Sequence, residues 1–287
     1  MIDYLLALAT VTLAWWISTG LVLLLNRLGD EWRRVSILAV SVAMVSCLFY
    51  LPNLSHDRSA AGALLGFGQG LIVWAWLEMT YLMGLITGPR KSPCPPGVST
   101  AQRFVMGIQT SLHHELSVVA MVILVVLLSG NGPNQVAAAT CISLWLMRWS
   151  AKLNLFLGVR NYNSDWFPEH LRYLDSYTRR APMNLLFPLS VSVGTAVAVL
   201  LLYRAMQTSD PFLRSADLLV SALLTLAVLE HWFLMYPFGE SALWRWALPA
   251  RKETSGLEDQ KSASSGKEPG TRNSARPITA RKSVSRT

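Results

Sequence analysis

Residues 104–129 read FVMGIQTSLHHELSVVAMVILVVLLS. The stretch is long and apolar enough to cross a bilayer, whose hydrocarbon core takes about 20 residues of helix. Yet His113, His114 and Glu115 lie inside it. An ionisable side chain at membrane depth is costly, and marks a functional site by default. Both features recur along the chain. Comparable runs cover residues 3–26, 35–52, 61–87, 135–157, 184–205 and 214–237, and they hold Glu78, Arg148, Lys152 and the Glu230–His231 pair. The seven runs predict an all-α fold, a polytopic integral membrane bundle of about seven transmembrane helices spanning residues 1–250.

Composition points the same way. Hydrophobic residues make up 52% of the chain and charged residues 15%, against roughly 25% charged in a soluble protein. Mean hydropathy is +0.35. Eleven Trp and eight Tyr suit a chain that anchors at bilayer interfaces. The first run continues to about Asn26, too long for the apolar core of a cleaved signal, so it reads as a retained span. Of the three cysteines, Cys47, Cys94 and Cys141, none forms a CxxC pair.

Net charge is +8, unevenly spread. Residues 251–287 hold nine Lys/Arg and four Asp/Glu, which is +5 from the tail alone. The basic balance therefore belongs to a tail and to membrane-flanking loops, which argues against a nucleic-acid partner. The odd loops are basic, with Arg27, Arg33 and Arg34, then Arg90, Lys91 and Arg103, then Arg160, Arg172, Arg179 and Arg180. The even loops hold at most two cations. The positive-inside rule places the odd loops and the C-terminus in the cytoplasm and the N-terminus in the periplasm. The tail is polar and expected to be disordered. In loop five, Leu171, Leu174 and Tyr177 fall at helical spacing and predict a short cytoplasmic surface helix over about 164–180. Gly62, Gly66 and Gly70 recur every four residues, which puts a smooth packing face on the third span.

Depth counting brings the ionisable residues together. Glu78 falls roughly 13 Å from the cytoplasmic end of its span. Glu115, Arg148 and Glu230 fall at similar depth, with Lys152 and Asn154 a turn nearer the cytoplasm. Three readings follow. In one, Glu78, Glu115 and Glu230 pair with Arg148, Lys152 or a protonated histidine in a structural cluster. In another, His114 or His231 ligates a metal or a metallo-tetrapyrrole pigment, with a carboxylate fixing the imidazole. In the third, the groups form a catalytic metal centre. That reading lacks the Glu-x-x-His arrangement of di-iron bundles. HExxH, GxSxG and phosphate-loop motifs are also missing.

Several blocks resemble a known family. They are WWISTG at 15–20, TGPRKSPCPPG at 87–97, the His114–Glu115 pair, LMRWSAKLNLFLGVRN at 146–161 and HLRYLDSYTRRAPMNLLFPLS at 170–190. Together they resemble the PuhE-type photosynthetic complex assembly proteins of purple bacteria, over roughly residues 1–245. The resemblance implies a multi-pass protein of the bacterial inner, intracytoplasmic membrane and a role in forming the reaction centre or the light-harvesting antenna. The implied partners are the membrane subunits of those complexes. It carries over no catalytic residue, so a non-enzymatic role is expected. The competing expectation is a membrane enzyme or carrier for a tetrapyrrole or isoprenoid-tailed pigment, built on His114, Glu115, Glu230 and His231.

Overall fold

The structure, a computed structural model, describes residues 2–25, 29–162 and 168–236. The expected tail, 251–287, lies outside them. Seven long helices run in order: α1 (Ile2–Leu25), α2 (Asp30–Leu54), α3 (Ala60–Leu82), α4 (Thr100–Ser129), α5 (Val136–Leu157), α6 (Leu186–Gln207) and α7 (Pro211–Phe233). Six are long and apolar enough to span a membrane. The seventh, α5, is less apolar because Arg148 and Lys152 interrupt it. It packs against α3, α4, α6 and α7, so its polar groups face other helices. The chain is a multi-pass membrane bundle, with α3 and α7 at its centre and α1, α2 and α6 presenting broad apolar faces outward.

The helix boundaries follow local chemistry. Ser59 caps α3 by accepting from the Gly62 amide, and Ser99 and Gln102 close a reciprocal capping box on α4. Asp210 caps α7, with Pro211 in the first turn, where its missing N–H costs nothing. Gly66 and Gly70 let α3 approach the start of α5. A Cβ on Gly70 would sit 2.7 Å from the Thr140 Cβ, so no larger residue fits without moving the helices apart.

The loops tie the helix ends together. At the end bearing the even loops, the Asn134 side chain donates to the carbonyls of Leu54, Asp57 and Gly62 at 2.9–3.3 Å. Arg58 pairs there with Asp210. At the opposite, basic end the third helix stops earlier than its apolar run suggests. Gly84 takes φ +75°, a value glycine adopts freely, and the amides of Leu85 and Ile86 both donate to the Thr80 carbonyl. The chain then folds back along α4, where the His114 amide donates to the Thr87 carbonyl at 2.8 Å.

Loop five carries a 3-10 helix, Glu169–Tyr177, with Leu171 and Tyr177 buried. Residues 164–167 of the expected helix lie outside the described residues, and the described helix begins after Pro168. Its apolar side rests on the protein itself. The Arg90 Nε donates to the Tyr177 hydroxyl, which donates to the Ser92 carbonyl. The Cys94 amide donates to Ser176 Oγ at 2.8 Å, and the His170 ring lies over Gly84. Burial and the nearby Arg33 and Lys91 hold the His170 pKa below its ordinary value, with a bond to the Leu82 backbone opposing them. Residues 84–99 and 169–177 thus form one hydrogen-bonded platform at the basic end, with Lys91, Arg172, Arg179 and Arg180 exposed on it.

Candidate functional site: the polar hub on α5

Four polar residues of α5 alternate at every second position: Arg148, Ser150, Lys152 and Asn154. Two residues of α-helix turn about 200°. Arg148 and Lys152 therefore share one face, and Ser150 and Asn154 share a nearly opposite one.

The first face is charged. Arg148 Nη2 donates to Glu78 Oε2 of α3 at 2.7 Å. Lys152 pairs with Glu115 Oε1 of α4, and Trp149 Nε1 donates to the other carboxylate oxygen at 2.7 Å. Lys152 Nζ also lies 5.4 Å from the ring centroid of Tyr81, within cation–π range. The Tyr81 ring in turn lies 4.5 Å from that of His114, which is only 1% exposed. The two carboxylate side chains are 13% and 12% exposed and the two cations 37% and 30%. The acids are thus mostly covered, while the cations reach toward the interface by snorkelling. Three buried polar atoms here have no hydrogen-bond partner: Glu78 Oε1, Arg148 Nε and His114 Nδ1.

The second face is neutral. Asn154, fully buried, donates to the Ser150 carbonyl at 2.9 Å and to Ser190 Oγ of α6 at 3.1 Å. Asn184 donates to the Gly158 carbonyl at 2.7 Å, and its side-chain oxygen accepts from the first amides of α6. His231 Nδ1 lies 2.8 Å from the Ala227 carbonyl, and Nε2 lies 2.9 Å from Ser150 Oγ. A carbonyl only accepts, so Nδ1 carries the proton and Nε2 accepts from the serine. Both ring nitrogens of His231 are engaged, which leaves no lone pair for a metal.

The sequence-derived constellation therefore divides. Glu78, Glu115, Arg148 and Lys152 meet on one face of α5, with His114 behind Tyr81. Asn154 and His231 belong to the other face. Glu230 is exposed beside α1, where its Oε1 accepts from Trp15 Nε1 at 2.7 Å. His113 is exposed, about 100° around α4 from His114. The charged face is also shallower than counting suggested. Glu78 is four residues, about 6 Å, from the end of α3, because the Gly84 turn ends that helix at Leu82.

Tyr81, Trp149, Ser150, Asn184 and Ser190 escaped the sequence reading. The alternation of Arg148, Ser150, Lys152 and Asn154 was the available signal for the neutral face. Tyr81 carried none, since an aromatic in an apolar span is unremarkable in a membrane helix. Among the described residues no group of three or more His, Cys, Asp or Glu could hold a metal ion. A macrocycle on His114 would have to displace Tyr81 from its ring.

A family model described as a protein of unknown function, DUF3623, matches residues 1–255. A curated relative from Rhodobacter capsulatus, "Uncharacterized 30.4 kDa protein in puhA 5'region", is 35% identical over 251 residues. The match covers 86% of this chain and 91% of the relative. No solved structure matches the chain.

Proposed function

The chain belongs to the DUF3623 family of PuhE-type proteins, and from that premise we propose that it is an assembly factor for the photosynthetic reaction centre or the light-harvesting complex. It works as a scaffold without catalysis, holding an unassembled membrane subunit in the bacterial inner, intracytoplasmic membrane. The relative lies in the puhA region, a photosynthesis gene cluster, which supports a membrane role linked to that cluster. One observation carries the reading further. The two cations of α5 are paired with acids on neighbouring helices, while the platform of residues 84–99 and 169–177 displays exposed cations at one end of the bundle. A bundle locked internally and dressed externally suits holding another protein better than turning over a substrate.

In this reading the platform faces the cytoplasm and the N-terminus the periplasm. A newly inserted subunit meets the exposed apolar faces of α1, α2 or α6 through helix packing, and its cytoplasmic flank meets the platform. The test is a photocrosslinking residue placed at Arg172 while the photosynthetic apparatus is being made. Capture of a reaction-centre or antenna subunit is expected. Normal levels of the protein with no such subunit captured contradict the scaffold role.

A second reading keeps the site but changes its use: a pigment carrier with His114 as ligand. The unpartnered His114 Nδ1 favours it. The packing of that ring on Tyr81 opposes it.

A further inference from the structure

A cleft of about 400 Å³ opens between the start of α6 and the end of α7, at the basic end of the bundle. None of the residues of the charged cluster lines it. The volume falls within the roughly 300–1,000 Å³ range of small-molecule sites. Its apolar floor is made by Phe187 and Met235, both buried, with Val191 beside them. Trp232 completes one wall and stacks edge-on against Phe187, with ring centroids 5.2 Å apart. Arg160, Ser192 and Tyr236 bring polar groups to the cleft, all three exposed.

Arg160 forms no ion pair among the described residues, nor do Arg179 and Arg180 on the segment paired to it through the Val159–Arg180 bridge. The mouth of the cleft thus holds a guanidinium, that of Arg160, with no ion-pair partner among the described residues. It lies where tryptophan and tyrosine, here Trp232 and Tyr236, mark a membrane–water interface. A soluble anion would satisfy the guanidinium but leave the apolar floor wet. A lipid without net charge would cover the floor but leave the Arg160 guanidinium without a net counter-charge.

We propose that this cleft is a specific site for one anionic glycerophospholipid. The phosphate sits on Arg160, as a charge-assisted, geometrically matched pair. One acyl chain lies on Phe187, Val191 and Trp232. Ser192 lines the same cleft, and its hydroxyl can donate to an ester carbonyl. That hydroxyl distinguishes an ester lipid from a prenyl chain, which has nothing for it to bond. The site is independent of which client the bundle holds. It would clamp α6 and α7 to the 158–162 segment at the same end as the platform.

The test compares the full chain in nanodiscs of phosphatidylglycerol and of phosphatidylcholine. Thermal unfolding should be later in phosphatidylglycerol, and native mass spectrometry should show one phosphatidylglycerol retained. Arg160→Gln should weaken that retention about fivefold or more, the scale of one cation at a lipid surface. Val191→Trp should abolish it by filling the cleft. Far-UV circular dichroism unchanged in both variants confirms that folding is intact; Arg160, being exposed, can be replaced without disturbing the core. Equal unfolding temperatures in the two lipids, or full retention by Arg160→Gln, overturn the proposal. Extraction of a pigment or prenyl lipid in place of the phospholipid overturns it as well.

Discussion

The two faces of α5 solve the same problem in different ways. Toward α3 and α4 the helix offers two cations, each matched to one carboxylate, with the cations kept partly exposed. Toward α6 and α7 it offers a serine and an asparagine, linked in a neutral network with His231, in which Asn154 is 0% and His231 2% exposed. Depth in the bundle explains the difference. A charge pair withdrawn from water costs more in desolvation than it regains unless geometry is excellent, so the charged face stays near the interface. A neutral network carries no such penalty and can sit in the dry seam between helices.

Breaking each face separately tests this, and the effects should rank. The largest belongs to Glu115→Leu, which strands the Lys152 ammonium and the Trp149 indole together. Unfolding in mixed micelles should show a loss of about 2–4 kcal/mol, somewhat below the full cost of an unpaired buried charge because Lys152 keeps access to the interface. The double variant Glu115→Leu, Lys152→Met should recover most of that loss. If it does not, the pair contributes by packing and the electrostatic contrast between the faces fails.

Asn154→Leu comes next. It removes the donor to Ser190 and leaves buried acceptors unmet, at a cost of about 1–3 kcal/mol. The readout is the same titration, with α6 losing its grip on α5. His231→Phe should cost about 1 kcal/mol, the ordinary worth of an interhelical hydrogen bond in a membrane. The loss should be independent of salt, unlike that of Glu115→Leu. Smallest is His113→Ala, at an exposed position, with an expected change within about 0.5 kcal/mol. A large effect at His113 would mean that the site extends to the outer side of α4.

Much of this was legible in the sequence, for physical reasons. Apolar runs report helices because a bilayer demands them, and all seven runs correspond to helices. Charges inside those runs report contacts because an isolated charge is too costly there, which is how Glu78, Glu115, Arg148 and Lys152 could be grouped. Glu230 was grouped with them by depth alone, and depth says nothing about direction around a helix. Its side chain points to Trp15 on α1. Asn154 and His231 were singled out, but serines and tyrosines are cheap enough in a span that Ser150, Ser190 and Tyr81 drew no notice, and the neutral face was not separated from the charged one. The early end of α3 hinged on Gly84, a residue whose backbone freedom shows only in the folded chain.

The central question is whether the polar groups around His114 serve one another or a ligand. The protein should be purified in mild detergent from cells making their photosynthetic apparatus, and its absorption spectrum recorded beside that of His114→Ala. A colourless preparation, unchanged by the substitution, is the expected result. A tetrapyrrole band that disappears in His114→Ala would contradict a hub that holds no ligand and make the bundle a pigment carrier.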